Sequence, residues 1–201
     1  MRLPVAIAVA LGVAVLMPNR HGGSLGPSSA EAAVSFDLSL DELVRVSPLV
    51  VLGKPIEHQS VWEEDENGGR RIVTYTRVRI ERSLGGDTKE KEVWVRTLGG
   101  VVDSIAQRVD GEALLVKDES SVLFLQPRTD GTHAVSGMAL GHFPVVKSDD
   151  GRLRLRPSPQ PGLLLRRDAN SKILSVREVL TGKTVDEAAA LIQAARQSHA
   201  R

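Results

Sequence analysis

Between Ile72 and Glu81 the chain alternates without a break. Ile72, Thr74, Thr76, Val78 and Ile80 fall on one face of an extended chain. Val73, Tyr75, Arg77, Arg79 and Glu81 fall on the other. A period of two is the repeat of a β-strand and not of a helix. The first set is the one expected to face a core. Just upstream lies Glu63-Glu64-Asp65-Glu66-Asn67-Gly68-Gly69, whose Asn-Gly pair predicts a hairpin turn. The partner strand starts at Leu49 to Leu52 and resumes from Ile56 to Trp62. Gly53 and Pro55 between them mark a bulge or bend.

More short strands follow. Val93, Val95 and Thr97 alternate with Trp94, Arg96 and Leu98, and Gly99-Gly100 breaks the run. Residues 101–111 read as irregular, with room for a helical turn. Ser121 to Leu125 predicts a strand, and Thr129-Asp130-Gly131 turns it into another at about His133 to Met138. Phe143 to Val146 and Leu153 to Arg156 pair across Asp149-Asp150-Gly151. Helices are few. Ser39 and Glu42 stand at capping-box spacing before a short apolar stripe, which predicts a helix at about 40–46, stopped by Ser47-Pro48. Thr184 and Glu187 repeat that spacing. Val185, Ala188, Ala189, Ile192 and Ala195 then form one apolar face of a C-terminal helix.

These elements predict a mostly β protein. The expected fold is a five-stranded OB-like barrel or a strongly bent antiparallel sheet, with a short N-terminal helix and a C-terminal helix. An open sandwich is the second choice.

The N-terminus reads as an export signal. Arg2 is followed by an uncharged apolar run from Val5 to Met17, too short for the ~20 residues of a membrane-spanning helix. Ala30-Glu31-Ala32 supplies small residues for cleavage before Ala33. An uncleaved N-terminal anchor, favoured by the long stretch from His21 to Ser29, is the alternative, and a tag remnant around His21-Gly22-Gly23-Ser24 a third reading. The expected organisation is a signal at 1–32 and one β-rich domain at 33–201. Within that domain we place a barrel at about 47–156, a Pro-rich linker at 157–162, and an extension with helix at 163–198. Secretion or a periplasmic location follows, with no transmembrane span after cleavage.

Charge and cysteine content narrow the chemistry. The chain has 26 basic and 25 acidic side chains. Loss of Arg2, Arg20 and Glu31 with the signal leaves 24 of each, a balance that speaks against a nucleic-acid partner. There is no cysteine. Disulfides, thiolate nucleophiles and thiolate metal sites are therefore excluded, and packing alone must hold an exported domain.

The order of elements from Ser47 to Val146 resembles the netrin-like module of tissue inhibitors of metalloproteinases. The resemblance rests on Ser47-Pro48-Leu49-Val50-Val51-Leu52-Gly53, on the long hairpin through Arg82, and on Arg82-Ser83-Leu84-Gly85-Gly86. Val109-Asp110-Gly111 and the strand and turn from Val122 to Thr132 complete it. Uncharacterised secreted bacterial proteins look similar, with a strand ending as in Gly141-His142-Phe143-Pro144-Val145. The resemblance implies an OB-type fold. It implies no protease inhibition, because the family's inhibitory N-terminal cysteine has no counterpart here.

No catalytic motif stands out. His58, His133, His142 and His199 lack zinc-site spacing, and no metal or cofactor is expected. Three groups are candidates for ligand binding. Asp103, Gln107, Arg108 and Asp110 lie on the long loop 99–111, the first place to expect a binding mouth. Arg152, Arg154 and Arg156 would align on one strand face, either as an anion or polysaccharide patch or as a charged edge. Trp62, Tyr75 and Trp94 would share an outer face, either as a platform or covered by the C-terminal helix.

The leading expectation is an exported non-enzymatic binding module with a protein or envelope polymer, such as a polysaccharide, as partner. A hydrolase or metal-dependent enzyme with a site assembled from His58, His133 or His142 is the alternative, and a structural surface component the third.

Overall fold

From Leu49 to Leu52 and from Val122 to Leu125 every side chain is apolar, so strands built there have no face to give to water. The computed structural model describes residues 34–64, 68–159, 162–165 and 173–199. In it Val50, Val51, Val122, Leu123, Phe124 and Leu125 are all fully buried. The expected signal at 1–32, the tip of the acidic turn at 65–67 and residues 160–161 of the linker lie outside the described residues.

The elements run β1 (Val34–Phe36), α1 (Leu40–Arg45), β2 (Leu49–Glu64), β3 (Arg70–Gly85), β4 (Glu92–Leu98), β5 (Gly100–Val102) and β6 (Ile105–Gln107). Next come β7 (Ser121–Pro127), β8 (His133–Val135), β9 (His142–Lys147), β10 (Leu153–Leu155), β11 (Leu163–Leu165), α2 (Val176–Leu180) and α3 (Val185–His199). Seven strands form one sheet in the order β10-β9-β7-β2-β3-β4-β8, and β8 also pairs with β7. The pairings β7-β2-β3-β4-β8-β7 thus return to their start. Two small pairs, β1 with β11 and β5 with β6, stand beside this sheet.

The sheet differs from expectation in two ways. It holds seven strands rather than five, and it is mixed rather than antiparallel, because β8 runs parallel to β4 at Val95 and His133. The cause lies in β7. One of its edges is given to β2 along Leu49–Gly53. The other is divided, with Ser121–Leu123 pairing β9 and Leu125–Pro127 pairing β8. The chain passes from β8 to β9 through a turn at Gly137 and Met138, which take φ of 65° and 56°. That turn also ends the fifth expected strand at Val135 instead of Met138.

Two cores result. In one, every strand of the returning set contributes: Val51, Val78, Val95, Leu123, Leu125 and Val135 among others. In the other, Val50, Leu84, Val122, Phe124 and Phe143 meet apolar faces of all three helices. Consecutive residues of β2 and β7 therefore serve opposite cores, which explains their unbroken apolar runs. The helices are set by local signals. Ser39 with Glu42, Ser175 with Glu178, and Thr184 with Glu187 all form capping boxes. The five residues of α2 are too few to show a periodic stripe, so only its cap marks it in the sequence.

Helix α3 does not cover the aromatic face, as had been one expectation. Its Gln193 side chain donates to the Leu84 carbonyl at 2.7 Å, and Arg196 donates to the Ser47 and Pro48 carbonyls at 2.7 and 2.9 Å. These bonds seat it over the start of β2 and the end of β3. No helix among the described residues is long and apolar enough to cross a membrane.

Phe124 and Phe143 meet edge to face at 6.2 Å in the helix-covered core. Replacing Phe124 by Ala should cost about 3–5 kcal/mol. Leu153, 57% exposed, should lose no more than about 0.5 kcal/mol on the same change. Urea denaturation of the two variants checks the difference.

Candidate functional site

Strand β2 pairs with β7 only as far as Gly53, yet it pairs with β3 to Glu64. The distal half of the β2–β3 hairpin thus runs on past β7. Register shifts at Leu52/Gly53 and Pro55/Glu57 place the bend where Gly53 and Pro55 predicted it. Beyond the bend, the face that carries Val78 and Val95 changes character. His58, Ser60, Thr74, Thr76 and Thr97 take the places of aliphatic residues.

The β5–β6 hairpin and the segment after it fold over this hydroxyl-rich face. Between them lies a cavity of about 430 Å³. That is within the range of small-ligand pockets, about 300–1,000 Å³. Its lining joins the polar strand residues to Gln107, Arg108, Glu112 and a wall that includes Ala113 and Leu115.

The cover is pinned to the strands. Thr74 donates its hydroxyl proton to the Gly99 carbonyl at 2.7 Å, and the Ser60 and Thr74 hydroxyls are 2.9 Å apart. The backbone N–H of Ile72 donates to the Gln107 side-chain oxygen at 2.5 Å. Gly100 has φ of 137°, and a Cβ there would come within 2.2 Å of Thr74 Oγ1. A side chain at this position would push the cover off the strands.

Glu112 is the acidic group of the cleft. Its carboxylate accepts from the Leu98 N–H at 3.0 Å and the Ala113 N–H at 2.9 Å. Burial raises its pKa, and the two backbone bonds and the more distant Arg96 act against that. His58 stands exposed at the edge. Partial burial, and then the charge of Lys117, lower its pKa.

The residues named on the loop 99–111 divide about the cavity. Residues 101–111 are irregular only in part: β5 and β6 pair from Gly100↔Gln107 to Val102↔Ile105, and the chain leaves regular structure from Arg108 to Gly111. Gln107 and Arg108 line the cleft. Asp103 sits exposed in the hairpin turn with φ of 53°, and Asp110 faces Arg108 at 3.4 Å. Neither aspartate lines the cavity.

The aromatic set is split. Trp62 pairs with Ile72, whereas Tyr75 pairs with Arg96 and Trp94 with Arg77. Alternation along β3 therefore puts Trp62 on the cleft face and the other two on the opposite face. Trp62 lies beneath Arg70 at 5.1 Å, and Trp94 beneath Arg77 at 6.0 Å. Tyr75 donates to Glu63 at 2.5 Å, and Arg96 holds the same carboxylate through Nε and a terminal nitrogen. The bond from Arg96 lowers the Glu63 pKa, and the bond to Glu63 raises that of Tyr75. This network braces the far end of the hairpin.

Arg152, Arg154 and Arg156 stand in and beside β10. Only Arg154 lies within β10, and it bonds the Gly182 carbonyl at 2.9 Å and Asp150 at 2.8 Å. Arg152 and Arg156 are exposed beside it. β10 is an outer strand of the sheet, so these charges stand at an edge.

The histidines do not gather. His58 is at the cleft edge, and His133 pairs with Val95 and Pro127. His142 is buried between Ser121 and Ser158, its ring nitrogens 3.1 and 3.2 Å from their hydroxyls. Among the described residues no group of three His, Asp or Glu side chains could hold a metal ion.

Sequence reasoning passed over Glu112 and the hydroxyls. The signal for the latter was present: Thr74 and Thr76 interrupt an otherwise aliphatic inward set. No protein-family model matches the chain, and no curated protein matches it.

Burial holds His142 at about 4 instead of its ordinary 6.5. The unfolded chain therefore takes up this proton first. The resulting stability is present above about pH 6.5 and is lost as pH falls toward 4, by up to about 3 kcal/mol. Urea titrations at both ends of that window should show the loss, and His142→Gln should flatten it.

Proposed function

We propose that this protein is an exported, non-enzymatic binding module of OB-like type, with the cleft between β2–β4 and the β5–β6 cover as its binding mouth. The partner is a protein or an envelope polymer. The strand order supports the OB-like reading. Five strands pair in a returning series, closed by one parallel contact between β4 and β8. In OB folds the second and third strands present the binding face. The corresponding strands here are β3 and β4, which floor the cleft.

One observation carries the reading. Val101, Ile105, Leu114 and Val116 are 61%, 52%, 44% and 39% exposed. They are four of the eight large hydrophobic residues exposed among the described residues. All four belong to the segment that covers the cleft. Apolar side chains concentrated around one concave site mark a contact surface, whereas scattered ones do not. The arginine edge at β10 carries one exposed large hydrophobic residue, Leu153, and the aromatic set is divided between two faces.

The apolar run from Val5 to Met17 and the small residues at Ala30-Glu31-Ala32 support export, and N-terminal sequencing that shows Ala33 as the first residue would test it. The same result would remove the reading of a surface component held by a retained anchor.

A photocrosslinking side chain placed at Val101 or Leu114 should capture one and the same partner from the native exported fraction. Placed at Leu153, whose exposure of 57% lies between theirs, it should not. Equal capture from all three positions, or capture from Leu153 alone, would contradict the assignment of the mouth.

A further inference from the structure

We propose that the cleft receives a cationic side chain, a lysine or arginine of the partner, with its charged head at Glu112 and its methylene stem along the apolar wall. This rests on the cleft being the binding mouth, and it adds the chemistry the mouth selects.

Glu112 gives the selection. It is the acidic residue among those lining the cavity. Each of its oxygens accepts one backbone N–H. An ionised carboxylate has about four lone-pair positions, so roughly half remain unused. Among the described residues no Lys, Arg or His lies within ion-pair distance of it. A secluded carboxylate without a counter-charge is costly, and a partner's cation would relieve that cost.

The surrounding groups agree. Ser60, Thr74, Thr76 and Thr97 bring hydroxyl oxygens that can accept from an ammonium or guanidinium. Ala113 and Leu115 supply an apolar wall for the stem, and lysine and arginine carry an apolar stem beneath a charged head. Of the cations nearby, Arg96 is committed, Arg108 lines the cleft but is largely exposed, and Lys117 is exposed. Arg96 is bound to Glu63. Arg108 is 69% exposed and faces Asp110. Lys117 is exposed, and its charge, after partial burial, lowers the pKa of His58.

The test uses the full chain, isotope-labelled, with backbone amide resonances followed by NMR. The probes are N-acetyl-arginine amide, N-acetyl-lysine amide, the neutral isostere N-acetyl-citrulline amide, N-acetyl-glutamate amide and putrescine. The arginine and lysine probes should shift the Leu98 and Ala113 amides. They should bind at least about tenfold tighter than citrulline, as a charge-assisted bond requires. Glu112→Gln should abolish that preference. Because this change also weakens the hold on the cover, a second variant is needed. Ala106→Phe fills the mouth from an exposed lining position and should abolish arginine binding while leaving Glu112 intact.

Equal binding of citrulline, shifts centred on Arg108 and Lys117 with the glutamate probe, or unchanged arginine binding by Ala106→Phe would overturn the proposal. Tighter binding of putrescine than of the lysine probe would also overturn it, by assigning the site to free amines. If crosslinking at Val101 still captures a partner while the cationic probes fail, only the cation is wrong. If both fail, the binding mouth is wrong as well.

Discussion

The fold depends on burying both faces of β2 and β7. Without cysteine there is no covalent staple, so apolar contact has to supply the net stability. The chain solves this by using alternate residues of the same two strands for different cores. Val51, Leu123 and Leu125 face the core shared by β2, β3, β4, β7 and β8, whereas Val50, Val122 and Phe124 face the helices. The short helices at either end of the domain are therefore structural requirements. Removing them would expose a sheet face that is apolar along its whole central width.

This arrangement also frees the distal β2–β3 hairpin. Its proximal half is fixed in both cores. Its distal half contributes to neither of the two cores, and its inward positions carry Ser60, Thr74 and Thr76 beside the buried Ile72. The β5–β6 cover and the segment after it are tied there by hydrogen bonds that Thr74 donates and that Gln107 and Glu112 accept. Such bonds contribute only about 1 kcal/mol each against water. The cover is thus the part of the scaffold where a ligand can compete for polar partners at least cost to the cores.

Much of the scaffold was legible in the sequence because its signals are local. The alternation from Ile72 to Glu81, the Gly53 and Pro55 bend, and the Ser39 and Thr184 caps each depend on a few neighbouring residues. The division of β7 between β8 and β9 was not legible, because it depends on a turn at Gly137 and Met138 whose backbone angles no periodicity announces. The same holds for α2, whose Ser175–Glu178 cap was present but followed by too short a run. The aromatic residues were misplaced by counting them as one set. Trp62 belongs to the parity of Ile72, and Tyr75 to the opposite one. Of the candidate site, Gln107 and Arg108 could be read from loop length alone. Glu112 could not, because its role comes from meeting the N–H of Leu98 across fourteen residues.

The central claim is that residues 99–116 and the facing strands form the mouth. Backbone hydrogen exchange, followed by mass spectrometry on the purified chain and on the chain in its native cell fraction, tests it most directly. The account predicts slower exchange over 99–116 and the distal β2–β3 hairpin in the native fraction, with α3 and β10 unchanged. Protection confined to β10 and the Arg152–Arg156 edge, with 99–116 exchanging as in the purified chain, would contradict it.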